Sequence, residues 1–392
     1  MSLFVTSQFN HSVLEYNETT GAFVRVAASG GALGDPTGVV IGLDGNLLVS
    51  DGQTNQVKRY DKTTGAFIDV FASTNLAAPM GMTLHQGVLY VTNKNSPQGV
   101  QRFDATTGVN TGNFVPSLGN PGPRDVKVNP ANSRLYVLYY NDATVETFDL
   151  TTMVSFGLLF PSGSGGLSTP GATAFGPDGN LYISGGNFGG NLGVRRYNPA
   201  TGAFIDFFAK MSDPNAPIGV AFGPDNNLYV STQNAANVMR FNYPTGTFMD
   251  IFVPNGSGGL AEPFHLMFAA VPGATLTYTL HRDCLRNVED EDDEDRGMRW
   301  QIEGGKVLAN GQHIADYSSV KRVSCGTTRQ NTAQLWVTLF YIGQKPPENI
   351  TLHGAHDFHS GGEIGSVSAA SSAFSAYIGK QFKRVADTLT IG

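Results

Sequence analysis

Six times the chain repeats a short apolar segment at nearly even spacing: LFVTS, LLVSD, LYVTN, LYVLY, LYISG and LYVST begin at Leu3, Leu47, Leu89, Leu135, Leu181 and Leu228. Each is followed by a strand-like segment ending in an aromatic residue, at Tyr16, Tyr60, Phe103, Phe148, Tyr197 and Phe241. The period is roughly 42 to 49 residues, too short for a self-sufficient core, so neighbouring copies must bury each other's apolar faces.

Punctuation within a unit is regular. After the aromatic comes a TTG-like turn (DKTTGAF, NPATGAF), then a short strand such as FIDVF, a Gly/Pro loop, a Pro-led strand such as PIGVAF, and a GPDG-like turn. That makes four short antiparallel strands per unit, the content of one propeller blade. Over residues 1–272 the pattern resembles the six-bladed propellers of the NHL-repeat and SMP-30/streptogramin-lyase-like group. The chain starts at the second strand of a blade, and EPFHLMF (Glu262 to Phe268) supplies the missing first strand, so the ring should close on itself and remove an exposed sheet edge.

Past VPGATLTY the repeat stops. Residues 273–392 hold other strand candidates, among them LTYTLHR, MRWQIEGGKVL, VKRVSCG, AQLWVTLFYIG, ENITLHGAHDF, EIGSVSAAS and KRVADTLTI, enough for a second, mostly β domain. AQLWVTLFY with LHGAHDFHSGGEIGSVSAASSAFSAYIGKQF resembles the allene-oxide-cyclase-like and dirigent-like small β-barrels. The expected fold is therefore all-β: a six-bladed β-propeller followed by a small antiparallel β-barrel domain. The barrel resemblance implies an interior pocket, cofactor-independent cyclase or isomerase chemistry, and assembly into a homo-oligomer through the barrel.

Composition agrees and sets exclusions. Only 15% of residues are charged and 48 are glycine, which favours strands and tight turns over long surface helices. A net charge of -7 with no basic run argues against nucleic acid and anionic membranes as partners, and no apolar run is long enough to span a bilayer. MSLFVTSQF has no basic segment followed by a long apolar one, leaving the compartment open between the cytoplasm and secretion with a leader removed. Cys284 and Cys325 could bridge, stay free or be buried. The acidic run Glu289 to Asp295 lacks the spacing of a calcium loop and reads as a solvated segment, with weak calcium binding as the alternative.

Repeated residues report the scaffold, so function is sought where repetition fails. The Pro-led strand begins Pro-x-Gly at Pro36, Pro79 and Pro217, but becomes PGA at Pro170, PRD at Pro123 and PFH at Pro263. Arg124, Asp125 and His265 are thus ionisable where other blades are small or apolar, and an Arg, an Asp and a His facing one funnel could bind an anion and move a proton. An ion pair between Arg124 and Asp125 is the structural alternative. The ends of the second strands add a polar and aromatic rim that includes Asp51, Asn93, Tyr139, Tyr140, Phe188 and Gln233, suited to a small molecule or a glycan. The carboxylate and Asn ligands of the lactonases, and the His and Glu pairing of the lyases, find no full counterpart, so neither a metal nor a cofactor is expected. In LHGAHDFHSGG, strand alternation puts His353, Asp357 and His359 on one face and His356 with Phe358 on the other. Three histidines of one strand therefore do not make a three-ligand metal site, and with one face of this strand lining the pocket that the barrel resemblance implies, His353, Asp357 and His359 are ligand-binding candidates. Recognition of a small molecule or glycan is the leading reading, with a cofactor-independent cyclase, isomerase or lyase and a protein-interaction module as alternatives.

Overall fold

The computed structural model describes residues 2–269 apart from 96–98, 116–121, 130, 131, 133, 187–190 and 213–214, and beyond them the backbone of strands between residues 274 and 391. The chain divides into two compact units, Ser2–Ala269 and Ala270–Gly392, with Met1 grouped with the latter.

The first unit is six four-stranded antiparallel sheets. Blade 1 holds Ser2–Ser7, Ser12–Asn17 and Phe23–Ala28 together with Pro263–Ala269 as its inner strand. From inner to outer strand, blade 2 is Pro36–Ile41, Leu47–Asp51, Gln56–Tyr60 and Phe67–Ala72; blade 3 is Pro79–His85, Val88–Asn93, Gly99–Asp104 and Asn110–Val115. Blade 4 is Pro123–Asn129, Arg134–Tyr139, Thr144–Asp149 and Ser155–Leu158; blade 5 is Thr173–Phe175, Leu181–Gly185, Gly193–Tyr197 and Phe204–Lys210. Blade 6 is Pro217–Phe222, Leu228–Thr232, Asn237–Phe241 and Phe248–Val253. The expected closure is present: Leu3 faces Phe268 and Val5 faces Leu266 across an antiparallel pairing.

The core lies between blades rather than at the centre. Leu3, Tyr16 and Phe268 of blade 1 pack with Tyr229 and Phe252 of blade 6, and Phe4 and Val13 of blade 1 pack with Leu47, Val49 and Tyr60 of blade 2. Repetition of the LYV and terminal-aromatic columns follows from this wedge packing, each buried side chain being worth about 1.5–3 kcal/mol. Turn glycines belong to the same interface. Gly202 has φ +72°, and a β-carbon there would sit 1.7 Å from the Leu159 carbonyl oxygen of the preceding blade, so no side chain fits.

A ring of hydroxyls ties the inner strands together. In five of the six LYVS-like segments the Ser or Thr in the fourth position lies within reach of a carbonyl of the next blade's inner strand. Thr6 is 3.3 Å from the Thr37 oxygen, Ser50 2.6 Å from Met80, Thr92 3.4 Å from Arg124 and Ser231 3.0 Å from Phe264, and Ser184 donates to Ile218.

In the second unit the strands form two antiparallel sheets. Ala274–Asp283 lies between Gln330–Leu339 and Glu363–Ser368; the other sheet runs Gln312–Tyr317, Gly305–Ala309, Ile350–His353, Thr388–Ile391, Phe382–Val385. Gln312–Tyr317 was not anticipated, and the KRVADTLTI candidate divides into two strands. The ENITLHGAHDF candidate contributes Ile350–His353; Asp357 and His359 lie outside the described residues, as do Cys284, Cys325 and the acidic run. No helix of the described residues is long and apolar enough to cross a membrane.

Candidate functional site at the channel mouth

The Pro-led start interrupts the ladder in blades 2, 3, 4 and 6. Pro36 pairs with Asp51 but Val39 with Val49, and the same slip recurs between Pro79 and Met82, Pro123 and Asp125, Pro217 and Val220. Such bulges re-aim one side chain. The re-aimed residue is the one after proline: Thr37, Met80, Arg124, Ile218 and Phe264 all line one cavity of about 500 Å³. A second ring comes from the residue just past each second strand, namely Gln8, Gly52, Lys94, Tyr140, Gly186 and Gln233. Every blade thus contributes to the mouth. Met80, Ile218 and Phe264 form a buried apolar cluster there.

Arg124 is the exception in this ring. Its guanidinium carbon lies over the Tyr140 ring at 4.6 Å and over the Phe264 ring at 4.8 Å. Its Nε is buried with no hydrogen-bond partner among the described residues, and burial pushes its pKa down to about 10, leaving it charged at neutral pH. A recess of about 290 Å³, also lined by Arg124, Tyr140, Met80 and Lys94, adjoins the mouth.

No protein-family model and no curated protein matches the chain. Solved structures do. A chain in the crystal structure of a nidogen/laminin complex is similar over 68% of this chain and 97% of its own length, at 14% identity and TM-score 0.54. Virginiamycin B lyase from Staphylococcus aureus is similar over 57% of this chain and 72% of its own, at 16% identity and TM-score 0.43. The first unit is a six-bladed β-propeller. At such identities the likeness is one of fold alone.

The propeller separates residues that the sequence reading grouped. Asp125 and His265 do not share the mouth with Arg124: they lie one position further along their inner strands, 1% and 6% exposed. Nor does Asp125 pair with Arg124. Its Oδ2 accepts hydrogen bonds from the Thr173 N–H at 2.7 Å and the Thr173 hydroxyl at 3.0 Å, and its Oδ1 receives Lys127 Nζ at 3.0 Å. Blade 4 has Leu138 where other blades have the bridging hydroxyl, and Asp125 makes the missing tie to blade 5. Burial pushes its carboxyl up, but Lys127, His265 and the Thr173 bonds together hold it below the usual carboxylate range. His265 Nε2 is 4.0 Å from Asp125 Oδ1, and neither ring nitrogen has a hydrogen-bond partner among the described residues. Burial, with the Lys127 charge adding to it, pushes the imidazole down to about 4, so it is neutral at physiological pH.

The rim is corrected by one residue. Asp51, Asn93 and Tyr139 close their strands and turn away from the cavity. Asp51 is fully buried and accepts from the Gly34 and Asp35 N–H groups at 3.0 and 2.9 Å and from Lys58 Nζ at 2.7 Å. Asn93 accepts from the Ala77 N–H and donates to the Asn75 carbonyl, and the Tyr139 hydroxyl donates to Glu146 at 3.3 Å. Tyr140 and Gln233 do line the mouth. Phe188 lies outside the described residues, and His353 ends its strand in the second unit. Among the described residues no group of three or more His, Cys, Asp or Glu side chains is placed to hold a metal.

Proposed function

We propose that the propeller is a small-molecule recognition module whose ligand occupies the channel mouth. The observation that carries this reading is convergence: two rings of side chains, one from the bulges and one from the strand exits, line a cavity of about 500 Å³, within the size range of ligand pockets. Departures from the repeat concentrate in blade 4, which places a cation and an aromatic ring at that mouth. A small molecule suits the site better than a glycan, because the Tyr140 and Phe264 rings that would stack on a sugar are already covered by Arg124. Binding also suits it better than proton transfer: Asp125 has committed its oxygens to Thr173 and Lys127, and His265 is not part of the cavity wall. Filling the mouth with Ile218→Trp should abolish binding of any ligand found by ligand-observed NMR screening of the full chain. Retention of binding in that folded variant would move the site elsewhere.

For the second unit the barrel reading stands as a proposal, supported by antiparallel strands with Ala274–Asp283 paired on both edges. Its cyclase chemistry and its role in self-association have the family resemblance alone behind them.

A further inference from the structure

We infer that the mouth takes an organic carboxylate, with the anion on the open edge of the Arg124 guanidinium and the carbon body against Met80, Ile218 and Phe264. This deepens the reading above and rests on it. The guanidinium carbon lies 4.6 Å from the Tyr140 ring centre and 4.8 Å from that of Phe264, and a guanidinium stacked on aromatic rings keeps its in-plane N–H groups for a carboxylate, which they match in a bidentate fork. The two rings also hold the fork still before a ligand arrives, which lowers the entropy lost on binding.

Among the described residues the chain supplies no acceptor for this arginine. Asp125, its neighbour in sequence, is spent on Thr173 and Lys127. Asp35, the carboxylate on the cavity wall, receives Gln8 Nε2 at 2.8 Å and shares electrostatic contact with Lys94 and Asp51 rather than with Arg124. A cation partly removed from water, its Nε buried and without an acceptor, is unfavourable unless something else completes it. Among the described residues Asp35, Lys94 and Arg124 leave the wall with a net charge of one positive in a chain of net charge -7, which suits a monoanion better than a phosphate dianion. The adjoining apolar cluster calls for a carbon skeleton and not an inorganic ion.

The test titrates the full chain by calorimetry with benzoate and hexanoate, with the matched amides benzamide and hexanamide, and with phenyl phosphate. Each carboxylate should bind about tenfold or more tightly than its amide, the scale of a charge-assisted hydrogen bond, and Arg124→Gln should remove that preference. In wild type, added chloride should weaken benzoate and leave benzamide unchanged, a result that does not depend on the variant folding. Equal affinities for acid and amide, or a preference that survives Arg124→Gln, would overturn the carboxylate while leaving the mouth as the site. Tighter binding of phenyl phosphate than of benzoate would also overturn it, in favour of a phosphate ester. If no probe binds, the carboxylate inference fails; if a probe binds and Ile218→Trp leaves that binding unaltered, the reading beneath it fails as well.

Discussion

His265 shows how burial turns a titratable side chain into a stability term. The imidazole has an ordinary pKa of 6.5 and is pushed down to about 4 on folding, so between those values the unfolded chain binds more protons than the native one. Stability is therefore complete above about pH 6.5, falls as pH drops toward 4, and levels below that. Between pH 7 and pH 5 the loss amounts to about 2 kcal/mol. His265→Leu keeps the volume without the titration, and hydrogen exchange of inner-strand amides should lose that much of its pH dependence. A variant that still follows the wild-type decline would assign the effect to other groups. Arg124 is the opposite case, a buried charge that keeps its proton and whose value lies in a partner from outside the chain.

At the level of elements, blade 4 is where the repeat relaxes. Its second strand carries Leu138 in place of a bridging hydroxyl, and Asp125 replaces that tie. Asp125→Ala should cost about 3 kcal/mol by leaving Lys127 and Thr173 short of their acceptor, with faster hydrogen exchange in Thr173–Phe175. Asp125→Asn, which keeps an acceptor for Thr173, should cost less, and equal losses would assign the stability to the charge rather than to the tie. The same blade has Met153, at φ +61°, where the other blades' TTG-type turns have glycine. Met153→Gly should stabilise by about 0.5 kcal/mol, the left-handed strain relieved less the extra freedom of the unfolded glycine. Gly202→Met should act in the other direction by about 2 kcal/mol or more, because a β-carbon there meets the Leu159 carbonyl. Paired urea melts of the two variants check both signs.

For the whole molecule, the ring is stabilised by closure. Pro263–Ala269 pairs along an edge only with Ser2–Ser7, so deleting residues 2–7 removes the second strand of blade 1 and exposes the inner strand's edge. The truncated chain should lose its cooperative unfolding transition and elute as aggregate on size exclusion. Monomeric elution with a wild-type transition would mean that blades 2 to 6 hold the circle open unaided. Closure also explains why the mouth is a single site: five inner strands and the exits of six second strands line it, and one irregular blade is enough to make it asymmetric.

Much of this architecture was legible from the repeat, since apolar period, terminal aromatics and turn residues are local signals that six copies reinforce. Blade number, strand count and closure by Glu262 to Phe268 followed from it. The candidate site was legible only as a neighbourhood. Arg124, Tyr140 and Gln233 face the mouth, whereas Asp51, Asn93, Tyr139, Asp125 and His265 are turned into the scaffold one position away. One signal was present in the sequence: Leu138 breaks a Ser/Thr column, which marks Asp125 as a replacement tie. The direction of each side chain was a tertiary decision, because strand alternation reverses faces at every residue and the bulge at each proline shifts that alternation, so only the packed ring determines which member of a neighbouring pair meets the cavity.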